Sequence, residues 1–169
     1  MIVILPIGEV EIPLLKHLCT QVARVFNRPC QLIEEIKVPK RALNPQRRQY
    51  LAESILEELR LGQAERLLGI VDLDLYTPGL NFIFGLANPS KGLAIIALAR
   101  LRQSFYGLPD EKDLFWGRAV KEAVHELGHT YGLPHCNNRR CVMAFSNSLL
   151  DTDYKGHDFC LKCAQRLPP

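Results

Sequence analysis

Residues 125–135 read HELGHTYGLPH, and the pattern leading into them predicts a helix. Phe115, Ala119, Ala123 and Leu127 recur at helical spacing, Pro109 with Asp110 offers a start, and Gly132 offers a left-handed stop, so a long helix should run over residues 110–131. On it His125 and His129 stand four residues apart, which puts two imidazoles one turn apart on one face, close enough to share a cation. Gly132 accepts the positive φ that lets the chain break away, and His135 returns three residues later as a third ligand. Three histidines suit zinc with a fourth position left for water, and Glu126 faces the same cleft without needing to ligate, where a general base must sit. The short pattern H-E-x-x-H recurs by accident; the glycine and third histidine at fixed offsets carry the specificity.

A second constellation begins at the next residue. Cys136 and Cys141 bracket a four-residue loop, and Cys160 and Cys163 form a C-x-x-C pair at the start of a final helix expected over Cys160–Leu167. Two such pairs suit a closed, tetrahedral structural zinc; the alternatives are reduced core thiols or disulfides, and His157 is able to replace one cysteine. Because His135 abuts Cys136 and Cys141 lies two before Met143, a metal there would pin the backbone on both flanks of the third histidine. The expected organisation is an α/β part over residues 1–132 and a small zinc-stapled part over 133–169, too short to build a core alone, within one compact domain split by the cleft.

Upstream, Ile2–Leu5 is a continuous apolar run, as expected for a strand covered on both faces. Pro13 then opens a helix whose Leu15, Leu18, Val22 and Val25 form one stripe. Leu32–Val38 reads as a second strand, Asn44 and Pro45 as the cap and first turn of a helix burying Leu51, Ile55 and Leu59 and ending at Gly62, and Leu67–Leu75 as a third strand. In the segment from Asn81 to Leu101 two apolar runs flank Asn88–Gly92, the signature of a turn between strands, one of them antiparallel. The fold class is therefore α/β: a mixed, mostly parallel twisted sheet with packed helices.

Composition narrows the partners. With 47% hydrophobic and 23% charged residues and a net charge of +3, the 169-residue chain is an ordinary globular domain with no electrostatic case for nucleic acid. MIVILPIGEV lacks a basic region before its short apolar run, and no stretch is long enough to span a membrane, so a cytoplasmic protein is expected. Cys19 and Cys30 read as small buried hydrophobes isolated from one another, His17 as structural, and Asp72 and Asp74 as polar strand or capping residues.

His125, Glu126, His129, Gly132 and His135 fill the zinc signature of metzincin metallopeptidases, which this sequence resembles, and Met143 stands where a Met-turn would underlie the metal. The run HELGHTYGLPHC, a second cysteine five residues on, a methionine two later and a distal C-x-x-C resemble the archaemetzincin family in particular, as do the segments GIVDLDLY and NFIFGLA. That resemblance implies a zinc peptidase in which Glu126 activates a zinc-bound water, with His125, His129 and His135 on the catalytic zinc and Cys136, Cys141, Cys160 and Cys163 on the structural one. It further implies that Asn81–Ala87 is an antiparallel edge strand that binds a peptide substrate by strand addition, in a protein expected to be monomeric. Where several metzincin branches carry a tyrosine two residues after the methionine, this chain has Phe145, which leaves Tyr106, Tyr131 and Tyr154 as candidate donors. The rival reading is a zinc-binding protein of the same fold that works through one specific partner with little general proteolysis.

Overall fold

Alternating side chains decide how the sheet is buried. In the computed structural model, which describes residues 1–169, Ile2, Ile4, Leu68, Ile70, Ala94 and Ile96 face one core cluster, while their neighbours Val3, Leu5, Leu67, Val71, Leu93 and Ile95 face another. This two-residue period across three strands is the signature of a central sheet covered on both sides.

The elements are β1 (Ile2–Ile7), α1 (Ile12–Phe26), β2 (Cys30–Leu32), β3 (Leu43–Asn44), β4 (Gln49–Leu51), α2 (Ala52–Leu56), β5 (Arg66–Val71), β6 (Leu75–Tyr76), β7 (Gly85–Asn88), β8 (Leu93–Ala97), α3 (Lys112–Thr130), α4 (Leu149–Tyr154) and α5 (Leu161–Ala164). The main sheet has the order β2-β1-β5-β8-β7, parallel except for β7, which pairs antiparallel with β8 at the edge. Helices α1 and α3 pack on one face, and α2 covers the other beside a small second sheet β3-β4-β6. The mixed α/β architecture is thus the expected one. The tail has no core of its own: Leu133, Cys141, Val142, Met143 and Cys163 are buried in the cluster built by α1 and α3.

Several boundaries differ from the sequence reading, each for a local reason. The second strand is Cys30–Leu32 rather than Leu32–Val38, because exposed Glu34 and Glu35 interrupt it on the solvent edge and only Ile36 returns to bridge Ile7. Asn44 does not cap a helix. Its side chain accepts the Arg47 N–H at 3.2 Å and closes a turn between β3 and β4, so the helix begins only at Ala52. The same residue type serves both turns and caps, and local sequence does not separate them. The third strand stops at Val71, since Asp72 and Asp74 turn away to pair with Arg102 and Arg100. The edge strand is Gly85–Asn88 instead of Asn81–Ala87, because Arg47 and Gln49 bond the Asn81 carbonyl and hold that segment off the sheet. The last helix is shorter than expected, spanning Leu161–Ala164. Cys19 and Cys30 are neighbours rather than isolated residues: burial and then the Cys19 thiol push the Cys30 thiol far up.

Candidate metal centres and cleft

Helix α3 is the spine of the site. From Arg118 to Gly128 every residue is buried, so it runs through the protein rather than along its surface. It ends in a Schellman closure, with Leu133 N–H on Gly128 O at 3.1 Å and Gly132 N–H on His129 O at 2.9 Å, and Gly132 adopts φ +81°. The glycine is needed there, and the closure turns the chain so that His135 faces back toward the helix.

The three imidazoles converge. Their rings pack with centroid separations of 4.6, 5.3 and 4.9 Å, and one ring nitrogen of each lies within 4.8 Å of the others. His125 Nδ1 donates to Val142 O at 2.8 Å and His129 Nδ1 to Leu133 O at 2.7 Å. A carbonyl only accepts, so both protons sit on Nδ1 and both Nε2 atoms carry bare lone pairs. Those two Nε2 atoms stand 3.1 Å apart. Two lone pairs at that range repel unless a cation lies between them, and nitrogens on one tetrahedral zinc stand roughly 3.3 Å apart. Burial also depresses the proton affinity of all three imidazoles, with the Lys155 ammonium adding to it, which favours the neutral ligand form.

Glu126 lines the same cleft, a cavity of about 630 Å³. Burial, reinforced by the Glu122 carboxylate one turn away, pushes its carboxyl up to about 8, against the pull of Lys155. A dication beside it would oppose that rise. The edge strand approaches this residue closely: a Cβ on Gly85 would fall 2.5 Å from Glu126 Cγ. Beside the three histidines, fully buried Met143 packs against Gly128, where any Cβ would land on its sulfur.

The four tail cysteines also come together, with all sulfurs within 4.8 Å of one another and Cys136 Sγ 3.8 Å from Cys160 Sγ. That spacing is far beyond a disulfide and matches the roughly 3.8 Å between thiolates on one tetrahedral zinc. Asn138 N–H and Cys160 N–H point at Cys136 Sγ and Cys141 Sγ, each at 3.4 Å. A backbone bond from Cys163 holds the Cys160 thiol down at about 7, whereas burial drives Cys163 far up. His157 lies elsewhere, against Gly117 of α3. Cys136 N–H donates to Met143 O at 2.9 Å, linking the two centres through the backbone.

Sequence reasoning missed several residues. Lys155, only 2% exposed, pairs with Glu122 at 3.2 Å and donates to Ala144 O, with its charge 3.5 Å from His125 Nδ1, while Arg118 grips Asp153 through two 2.7 Å bonds. In the sequence these look like surface charges, and only the depth of α3 makes them interior. The candidate tyrosines are occupied away from the cleft: Tyr131 with Glu65, Tyr106 with Arg100 O, Tyr154 under Arg139 and Arg140.

Comparison with known proteins completes the picture. The fold and the two clusters define a metallohydrolase architecture, and residues 15–168 match the profile described as Peptidase family M54. An archaemetzincin of Methanocaldococcus jannaschii is 44% identical over 98% of this chain and 92% of its own. The crystal structure of an archaemetzincin from Archaeoglobus fulgidus, complexed with malonate, superposes with a TM-score of 0.87 at 34% identity, covering 99% of this chain and 100% of that one. A zinc-dependent peptidase from Methanocorpusculum labreanum gives 0.89 at 29% identity, with 99% and 100% covered. This chain belongs to peptidase family M54, the family of the archaemetzincins, which are zinc metallopeptidases. No helix is long and apolar enough to cross a membrane.

Proposed function

We propose that this chain hydrolyses peptide bonds with a zinc held by His125, His129 and His135, and that Glu126 is its general base and acid. The observation that carries the reading is the pair of unprotonated Nε2 atoms 3.1 Å apart, beside a buried carboxyl in an open cleft. When bound, the zinc supplies a Lewis acid that acidifies water and polarises the carbonyl under attack. Glu126, whose carboxyl lines the cleft beside the three histidines, takes the proton from the attacking water and returns it to the departing amine. Val142 O and Leu133 O orient the two helical imidazoles by accepting from Nδ1. The substrate peptide lies along β7, whose outer edge is unpaired and whose Gly85 and Ala87 line the cleft.

A second, structural zinc sits on Cys136, Cys141, Cys160 and Cys163, supported by their sulfur spacing. It cross-links the 133–169 part, which contains all four cysteines, in place of a core of its own, and the chain acts as a monomer in the reducing cytoplasm, where free thiols persist. Zinc content per chain, followed by cleavage of a diverse peptide library by wild type and Glu126→Gln, tests the reading. Two zincs and cleavage that vanishes in the variant are expected. Two zincs with no cleavage by wild type would instead favour a specific binding protein.

A further inference from the structure

Hydrogen bonds along an antiparallel pair alternate: every second residue of a strand turns its N–H and C=O toward the neighbour, and the residues between turn theirs away. On β7 the alternation can be read from two bonds. Ala97 N–H of β8 donates to Phe84 O at 2.8 Å, and these residues stand opposite one another in the register that pairs Gly85 with Ile96 and Leu86 with Ile95. Phe84, Leu86 and Asn88 therefore turn their backbone groups to β8, whereas Ile83, Gly85 and Ala87 turn theirs to the outer edge of the sheet. The second bond agrees: Ile83 N–H donates to Leu75 O of β6 at 2.9 Å, on that outer side.

The free edge is short as a result. At one end Leu75 already occupies Ile83, and at the other the strand stops at Asn88, followed by Pro89, which has no N–H to offer. Between these stops Gly85 and Ala87 each present one donor and one acceptor outward, and both residues are half-buried and line the cleft. Gly85 also lies against Glu126, so the pairing site abuts the base.

We infer that Gly85 and Ala87 alone form the backbone clamp for the substrate peptide, so that the cleft takes a short extended stretch of chain and recognises its main chain rather than a long strand. The inference rests on the peptidase reading and defines the substrate class within it. Whichever way the peptide runs along β7, the two outward carbonyls accept two substrate N–H groups two residues apart. Toward Ile83 the edge is filled by the protein's own β6, and pairing cannot extend.

The test is an N-methyl scan. An octapeptide that wild type cleaves is methylated in turn at each backbone nitrogen outside the scissile bond, and kcat/KM is measured for each. One neutral hydrogen bond corresponds to about three- to tenfold. No more than two positions, two residues apart, should lose that factor. Ala87→Pro supplies the protein side: edge strands tolerate proline where the N–H faces outward, so the variant deletes one clamp donor and keeps every bond to β8. It should raise KM by the same factor with kcat, zinc content and Tm near wild type, whereas Leu86→Pro, which deletes a bond to β8, should lower Tm. Loss at three or more positions, or at none, overturns the inference, as does a wild-type KM in Ala87→Pro or a fall in its Tm as large as that of Leu86→Pro. If wild type cleaves no peptide, the peptidase reading fails while the same scan, read as calorimetric affinity for the zinc-loaded protein, still decides the clamp; a wild type that binds no peptide overturns both.

Discussion

Gly85→Ala places one methyl group where the edge strand meets the general base. The added Cβ would lie 2.5 Å from Glu126 Cγ and 2.8 Å from both Cδ and Oε1, against the 3.5–4.0 Å of an ordinary carbon contact. Something must move by about 1 Å. The obstruction is a side chain rather than backbone, so the fold absorbs it by rotating Glu126, and the carboxyl leaves its working position. A displacement of that size costs on the order of a hundredfold in rate. Stability falls without unfolding the protein: overpacking costs about 1–3 kcal/mol, and replacing glycine recovers about 0.4–1 kcal/mol through the unfolded chain, a net loss of at most about 2.6 kcal/mol. The assay measures kcat/KM on a peptide substrate with zinc content and Tm in parallel. A loss of about a hundredfold with both zincs retained is expected. Wild-type turnover in Gly85→Ala would refute the placement of Glu126 as the base, because the methyl cannot coexist with the observed rotamer.

Cys160→Ser should reduce zinc content by more than the structural ion alone, since the Cys136 N–H to Met143 O bond ties the backbone beside His135 to the cysteine cluster; retention of active-site zinc under mild chelation would contradict this coupling. Lys155→Met leaves Glu122 buried and uncompensated, and denaturant titration should show a loss of about 3–5 kcal/mol, most of it restored by adding Glu122→Gln. The metal-free protein should lose stability as pH falls below 6.5. Burial keeps His125 and His129 below that value in the fold, so the unfolded chain takes up protons first and the stability present above 6.5 drains away toward acid. A flat Tm from pH 7 to pH 5 in chelator would count against it.

How far the chain could be read in advance depended on the range of the interaction involved. The helix over Lys112–Thr130, its glycine stop and the offsets of His125, His129 and His135 were legible because each is set within a few turns of one helix. The core strands were legible because apolar runs that serve two covered faces leave no polar residue to confuse them. Short edge elements were not. Leu32–Val38 and Asn44–Leu59 carry β-branched, turn and cap residues whose roles depend on which neighbours compete for the backbone, and the Asn44–Arg47 turn won over a cap.

By itself, then, the sequence determined which side chains are available for two metal-binding sets and in what order along the chain, since helical pitch and C-x-x-C spacing are local geometry. Tertiary structure alone decided that Cys19 meets Cys30, that Lys155 is interior and that Gly85 abuts Glu126. These are contacts between segments far apart in the chain, fixed by packing at close density, and no pattern within one segment encodes its neighbour across a cleft.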